Sequence, residues 1–261
     1  MSLENIDIVM VGTTHPGNIG AAARAMHNMC IANLVLVNPL CPIGEIAYAR
    51  ASGANVILDN RRQVGSLQEA VQDCILVIAT SARKRSLPWP ELTPGSMAQK
   101  IADLNDQSRV ALVFGREHSG LTNDELQVCH YTVNIPTNPD FSSLNVASAI
   151  QVLCYEIFKS VKNQPEARQT DIQEAAATSQ QLEGFFQHLE QVMITTRFLD
   201  LENPGLLMQR LRRLYHRLEM SNNEVDILRG ILSSVEKYKK QNPSSPGDSE
   251  DSRLPVTKPY K

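Results

Sequence analysis

The sequence predicts an α/β protein: a Rossmann-like, mostly parallel sheet followed by a small α-helical extension. Three observations carry this reading. Short apolar runs alternate with stretches in which apolar residues recur every three or four positions, the order that builds a parallel sheet covered by helices on both faces. The runs stop at Gly, Pro or polar loops, and open α/β sheets hold their ligand sites in such loops, outside the carboxyl ends of the strands. Beyond residue 181 the strand-like runs cease and only helical spacing remains.

Taken in order, Ile6–Val11 is an apolar run that breaks at Gly12, and 17–30 carries Ile19, Ala22, Ala23, Met26 and Met29 at helical spacing, giving strand, loop, helix. Asn33–Val37 reads as the next strand, 45–52 as a helix, 55–58 as a short strand, 66–72 as a helix and 74–79 as a strand. A Pro-interrupted loop around Trp89, which serves as a packing anchor, leads to a helix near 96–104. Two strands, Val110–Phe114 and 131–135, then flank a helix at 122–129, and each delivers a polar loop: GREHSG at 115–120 and a second ending in Ser142-Ser143-Leu144-Asn145. A long helix follows to about Val161. The segment 163–180, rich in Gln, Ala, Thr and Glu, reads as a linker between a domain at 1–162 and a helical domain at 181–241. That domain has three helices. Leu182, Phe185, Phe186, Leu189, Val192 and Met193 stripe the first and Leu207, Leu211, Leu214 and Leu218 the second; Ser221 and Glu224 form a capping-box start for the third. The Pro/Ser/Asp tail at 242–261 is expected to be disordered.

The 261 residues suffice to bury a substantial core. A net charge of −3, from 25 Lys and Arg against 28 Asp and Glu, singles out no partner, so any nucleic-acid surface has to be local. Five cysteines, Cys30, Cys41, Cys74, Cys129 and Cys154, show no C-x-x-C spacing, which argues against a disulfide framework or a zinc site and for reduced thiols. No apolar run approaches the roughly 20 residues that span a bilayer, and the N-terminus enters a strand without a signal-like region. A cytoplasmic protein without membrane or metal is expected.

The segment PGNIGAAAR (16–24) sits where a strand-to-helix turn would bind a phosphate, but Gly17 and Gly20 lack G-x-G-x-x-G spacing; the small residues equally allow helix and sheet to approach closely. Arg24 falls near the core side of that Ala-rich helix, where a guanidinium needs a carboxylate, a phosphate or a functional role. Gly115 and Gly120 could belong to a simple helix-capping turn; Glu117, at a strand end, could pair with Arg24 or orient a ligand. Ser142 to Asn145 could equally be a bare N-cap. Arg83, Lys84 and Arg85 put three cations on one rim loop, which favours phosphate binding over a merely solvated loop. Arg210, Arg213 and Arg217, with Arg212 and His216, are placed opposite the Leu207 stripe, where a solvated face is the ordinary reading and RNA contact the sharper one.

Three segments together, NIGAAAR (18–24), LVFGREHSGL (112–121) and IPTNPDFSSLNVA (135–147), resemble in order and interval the three signature motifs of the SPOUT superfamily, in its TrmH-like branch of RNA ribose 2'-O-methyltransferases. The resemblance extends over about residues 5–237. It implies a C-terminal trefoil knot in the sheet domain, a rare exception to unknotted topology. It also implies S-adenosyl-L-methionine as cofactor and a homodimer whose active site draws on both subunits. The implied substrate is tRNA, methylated on the ribose of a cytidine or uridine at position 32 of the anticodon loop. By the same resemblance Arg24, Asn18, Glu117, Ser143 and Asn145 are the catalytic set. Thr80, Ser81, Ala82, Gly115, Glu117, Gly120, Ile135, Pro136, Ser143 and Leu144 hold the cofactor, and Arg83, Lys84, Arg85, Arg116, Arg210, Arg213 and Arg217 face RNA. Arginine normally keeps its proton in proteins, so orienting the 2'-hydroxyl and stabilising its developing charge is favoured for Arg24 over acting as a base. Methylation of ribosomal RNA and a catalytically silent RNA-binding role are the competing readings.

Overall fold

The computed structural model describes residues 1–81, 89–163, 175–202 and 204–241. Among them, a seven-stranded sheet runs in the order β3-β2-β1-β6-β4-β7-β5, with β1 at Ile6–Val11, β2 at Asn33–Val37, β3 at Arg62–Val64, β4 at Leu76–Thr80, β5 at Glu91–Leu92, β6 at Val110–Phe114 and β7 at Tyr131–Val133. Every pairing is parallel. The helices of this part are α1 (Pro16–Asn28), α2 (Glu45–Ala51), α3 (Asn55–Asp59), α4 (Leu67–Val71), α5 (Pro94–Ala102), α6 (Asn123–Gln127) and α7 (Val146–Lys162). The first three strands wind outward on one side of β1, and the chain then returns to the other side, leaving the slot that β6 fills between β1 and β4. That reversal of winding direction is where open sheets leave a crevice at their carboxyl edge.

Alternation along the strands separates two cores. Ile6, Ile8 and Met10 of β1 face a cluster with Ile19 and Met26 of α1, Met97 of α5, and Ile150 and Leu153 of α7. Val9 and Val11 face the opposite cluster, with Leu67 and Val71 of α4 and Leu126 of α6. Asp7 occupies an inward position on that second face and is fully buried; the guanidinium of Arg109 closes on it through Nε–Oδ2 at 3.0 Å and Nη2–Oδ1 at 3.1 Å. An uncompensated carboxylate there would be costly, and the bidentate partner offsets that cost.

Several expected elements are corrected. Residues 55–58 form the short helix α3, not a strand: Ile57 and Leu58 are the buried pair, on one side of the helix, while Val56 is exposed. The short edge strands β3 and β5 were hidden because three- and two-residue segments carry no period to read. Of the linker expected at 163–180, residues 164–174 lie outside the described residues, and its end is already structured: Ala177 is buried, and Thr178 caps the next helix. The tail expected to be disordered lies outside the described residues.

The helical extension contains α8 (Ser179–Thr195), α9 (Leu207–His216) and α10 (Asn222–Gln241), with α10 opened by the Ser221–Glu224 capping box. Its core is Leu182, Phe185, Phe186, Met220 and Val225. The orientation of α9 differs from the expected one. Leu214 and Leu218 are exposed, whereas Arg212 reaches inward to Glu183 (2.6 and 2.9 Å) and lies over the ring of Phe186, and His216 is buried. Cation–π stacking and a bidentate carboxylate outweigh the leucine periodicity.

His216 meets His130 edge-on, with ring centroids 4.6 Å apart, at the seam between the extension and the sheet. The backbone N–H of Val77 donates to His130 Nδ1 at 3.0 Å, and His216 Nε2 lies 3.2 Å from the carbonyl oxygen of Gln127. Burial pulls His130 down to about 4; for His216 burial, together with His130 and Arg212, gives about 3. Both rings are therefore neutral in the fold, while in the unfolded chain they take up protons below about 6.5. Their contribution to stability is full above that value and is lost as pH falls from there toward about 4 for His130 and about 3 for His216. Thermal melts should drop over this window, and a His216→Phe variant should show a shallower drop; equal slopes would contradict the assignment.

Candidate active site

The loops that end β1, β4, β6 and β7 converge at the carboxyl edge of the sheet. Thr80 Oγ1 donates to the Val113 carbonyl (3.2 Å) and the Ser81 N–H to that of Val133 (3.1 Å), which ties the ends of β4, β6 and β7 together. They enclose a cavity of about 410 Å³, within the range of small-molecule sites. Its lining mixes apolar side chains such as Phe114, Leu121 and Ile135 with polar groups from Ser81, Ser143 and Asn145.

Gly115 is required by close approach. A Cβ there would lie 2.3 Å from the carbonyl carbon of Gly120 and 2.4 Å from the nitrogen of Leu121, because residues 116 and 120 pair as a tight antiparallel bridge. Gly120 itself has φ +70, the left-handed region that favours glycine. The loop is pinned from below by Arg116, whose two terminal nitrogens each lie 3.0 Å from an oxygen of Glu125, itself the closing residue of the α6 capping box. Arg116, expected to face RNA, thus has an internal partner in Glu125.

Glu117 stands at the centre of a hydrogen-bonded chain that joins three loops. Its Oε1 accepts from Asn18 Nδ2 at 2.9 Å, and its Oε2 accepts from the N–H and hydroxyl of Thr14 at 3.3 and 3.1 Å. Asn18 Oδ1 in turn accepts from Asn145 Nδ2 at 3.0 Å, and Asn145 Oδ1 caps α7 by accepting from the Ala147 N–H at 2.9 Å. Burial would raise the Glu117 carboxyl, but the bonds from Asn18, its own backbone and Thr14 outweigh it and hold the group below the usual carboxylate range. An ionised carboxylate only accepts, so Asn18 has to turn its amide nitrogen to Glu117 and its oxygen to Asn145. One charge thereby sets the orientation of two amides across the cavity mouth.

Of the residues expected at the site, Thr80, Ser81, Gly115, Glu117, Gly120, Ile135, Ser143, Leu144 and Asn145 line the cavity; Pro136 does not. Asn18 is joined to it through Glu117 and Asn145. Ala82, Arg83, Lys84 and Arg85 lie outside the described residues. Arg24 is exposed, not on the core side of α1, and Glu117 is bonded to Asn18 and Thr14 instead of to it. The reason is the stagger of α1: Ala22, Ala23, Ala25 and Met26 take the buried positions and leave Arg24 outward. It lines an open groove that shares Asn145 with the cavity. On α9 and its cap, Arg210 and Arg217 are exposed and Arg213 is half-buried. Thr14 was missed; its only signal was being a polar residue shortly after the first strand break. Among the described residues, no group of His, Cys, Asp or Glu is placed to hold a metal ion, and no helix is long and apolar enough to cross a membrane.

A parallel sheet whose carboxyl-edge cavity is framed by these three loops defines a methylase of the SPOUT type, and the chain belongs to the SpoU rRNA Methylase family, which it matches over residues 5–155. Residues 180–244 match a second family, the C-terminal domain of the tRNA methyltransferase TrmJ. The chain is 46% identical over 246 residues to the tRNA (cytidine/uridine-2'-O-)-methyltransferase TrmJ of Sodalis glossinidius, covering 94% of this chain and 96% of that protein. It is 47% identical over 236 residues to TrmJ of Pectobacterium atrosepticum, covering 90% and 98%. Among solved structures it resembles TrmJ from Z. mobilis ZM4, with TM-score 0.77 and 32% identity over 88% of this chain and 98% of that one. A probable methylase family protein from Haemophilus influenzae Rd KW20 matches with TM-score 0.60 and 43% identity over 92% and 99%.

Proposed function

We propose that this protein is an S-adenosyl-L-methionine-dependent tRNA ribose 2'-O-methyltransferase acting on cytidine or uridine at position 32 of the anticodon loop. The observation that carries the reading is the Thr14–Glu117–Asn18–Asn145 chain, which locks the residues of all three signature segments around one cavity. The TrmJ relatives, alike over nearly the whole chain, support tRNA as substrate. The cavity suits the cofactor: its volume fits a drug-sized ligand, its apolar wall suits an adenine face, and the Gly115–Gly120 bridge allows backbone approach without side-chain interference.

Bound S-adenosyl-L-methionine supplies a sulfonium methyl group that is already electrophilic. What the protein has to supply is the nucleophile's geometry and its charge. Arg24 orients the ribose 2'-hydroxyl and stabilises the charge that develops on it, while Asn145, fixed by Asn18, keeps the cavity mouth in place. Because Arg24 lies outside the cavity, in a groove beyond Asn145, the Arg24 acting at one cavity comes from a second copy of the chain in a homodimer. The exposed Ile46 on α2 and Tyr155 on α7 support that partner surface. The reading includes the trefoil knot, supported by β6 lying between β1 and β4, and assigns tRNA backbone contacts to Arg83, Lys84 and Arg85 and to Arg210, Arg213 and Arg217. A tRNA-modifying enzyme of this kind works in the cytoplasm.

The test is transfer of labelled methyl from S-adenosyl-L-methionine to tRNA and to ribosomal RNA offered separately. Label in tRNA alone is expected; label in ribosomal RNA alone, or in neither, would overturn the reading.

A further inference from the structure

The groove that holds Arg24 has a second cation that the reaction does not use. It runs between α1, the end of α2 and the start of α7, and its lining includes Ala21, Arg24, Ala49, Arg50, Ala147 and Gln151. Among the described residues no acidic one lines it, although the chain as a whole carries more acidic than basic residues. Arg24 and Arg50 are both exposed, and the small side chains of Ala21, Ala25, Ala49, Ala147 and Ser148 leave the space between them open. Two guanidiniums facing one groove without a carboxylate repel each other, an arrangement that an anion relieves.

The placement of Arg50 is built into the fold. The carbonyl oxygen of Ala47 would stand 2.0 Å from a Cβ added at Gly20, so α2 crosses α1 at a distance only glycine permits. The Arg50 stem covers this crossing, its Cβ 2.9 Å from the same added atom and its Cγ 3.7 Å from one added at Gly17. An aliphatic stem packed on two glycines leaves the planar head directed by its own anchor, as long charged side chains do when the stem is covered and the head is wet.

We infer that Arg50 binds a backbone phosphate of the substrate RNA beside the nucleotide on which Arg24 acts. This rests on the RNA methyltransferase reading above and adds to it a site that holds the strand next to the target ribose. Fork geometry suits a phosphate bidentately, and the shared groove places the two arginines on neighbouring parts of one strand.

The test uses the full chain with Arg50→Gln, which keeps the stem on Gly17 and Gly20 and removes only the charge, and Arg50→Lys, which restores a cation. Arg50→Gln should raise KM for tRNA several-fold at unchanged kcat and unchanged affinity for S-adenosyl-L-methionine. Loss of one phosphate contact lowers the salt slope of tRNA affinity by about 0.7–0.9, so the gap between wild type and Arg50→Gln should narrow about threefold between 50 and 200 mM salt. Arg50→Lys should keep most of the wild-type slope. If wild type methylates tRNA while Arg50→Gln shows the same KM and slope, this inference alone fails. A shift of oligomeric mass in Arg50→Gln, measured by sedimentation, would also overturn it by making the groove a contact between copies. Absence of methyl transfer by the wild type would remove the reading beneath it as well.

Discussion

Replacing Arg24 by alanine is expected to lower kcat for methyl transfer to tRNA by about 10²–10³, the range seen when one preorganised donor to a developing oxyanion is removed. A ribose hydroxyl is a poor nucleophile at neutral pH, and Arg24 is an exposed cation in the groove that shares Asn145 with the cavity. Affinity for S-adenosyl-L-methionine should be unchanged, because Arg24 contributes nothing to the cavity wall. Arg24→Lys keeps the charge without the planar fork and should recover only part of the rate. Single-turnover kinetics with saturating cofactor separate these effects. Near-full turnover of Arg24→Lys with an unchanged pH profile would show the fork to be unnecessary.

The second large effect is expected at Glu117. In Glu117→Gln the size is kept, but one oxygen becomes a donor. If the remaining oxygen serves the Thr14 N–H, the new amide nitrogen faces Asn18 and forces it to turn over, which sets the Asn18 and Asn145 nitrogens against each other. The mouth of the cavity loses its fixed geometry, and kcat/KM should fall by about 10–100-fold, within the cost of misplacing a reacting group by an ångström. The wild-type carboxylate, held below the usual range by its hydrogen bonds, should lose its effect only as pH falls through that depressed value. The variant should lack this acid limb. Full kcat/KM in Glu117→Gln would mean that the hydrogen-bonded chain plays no part in the reaction.

Much of this architecture was legible from residue pattern. Buried strands such as β1 and β6 announce themselves as apolar runs, and the Gly115–Gly120 and Ser142–Asn145 loops stand out because they interrupt such runs at the edge where ligands bind. The grouping of Asn18, Glu117 and Asn145 was legible only through the resemblance of three segments to a known family, since the three are far apart in the chain. What pattern could not give was orientation set by long-range partners. Arg24 was expected inward, but the alanines beside it claim the core. On α9 the leucine stripe pointed one way, while Glu183, Phe186 and His130 drew Arg212 and His216 the other way. Arg116, expected to face RNA, braces its loop through Glu125, a bond the pattern did not show. On α9 the deciding partners come from other elements, and periodicity within one helix carries no record of them.

The central claim is that one ribose oxygen of one tRNA nucleotide is the methyl acceptor. It is tested most directly with two matched tRNAs, one natural and one carrying 2'-deoxyribose only at nucleotide 32, each incubated with the protein and labelled S-adenosyl-L-methionine. The account predicts label on the natural tRNA, mapped by digestion to a 2'-O-methylated cytidine or uridine at that position, and none on the deoxy-substituted one. Equal labelling of both would contradict it.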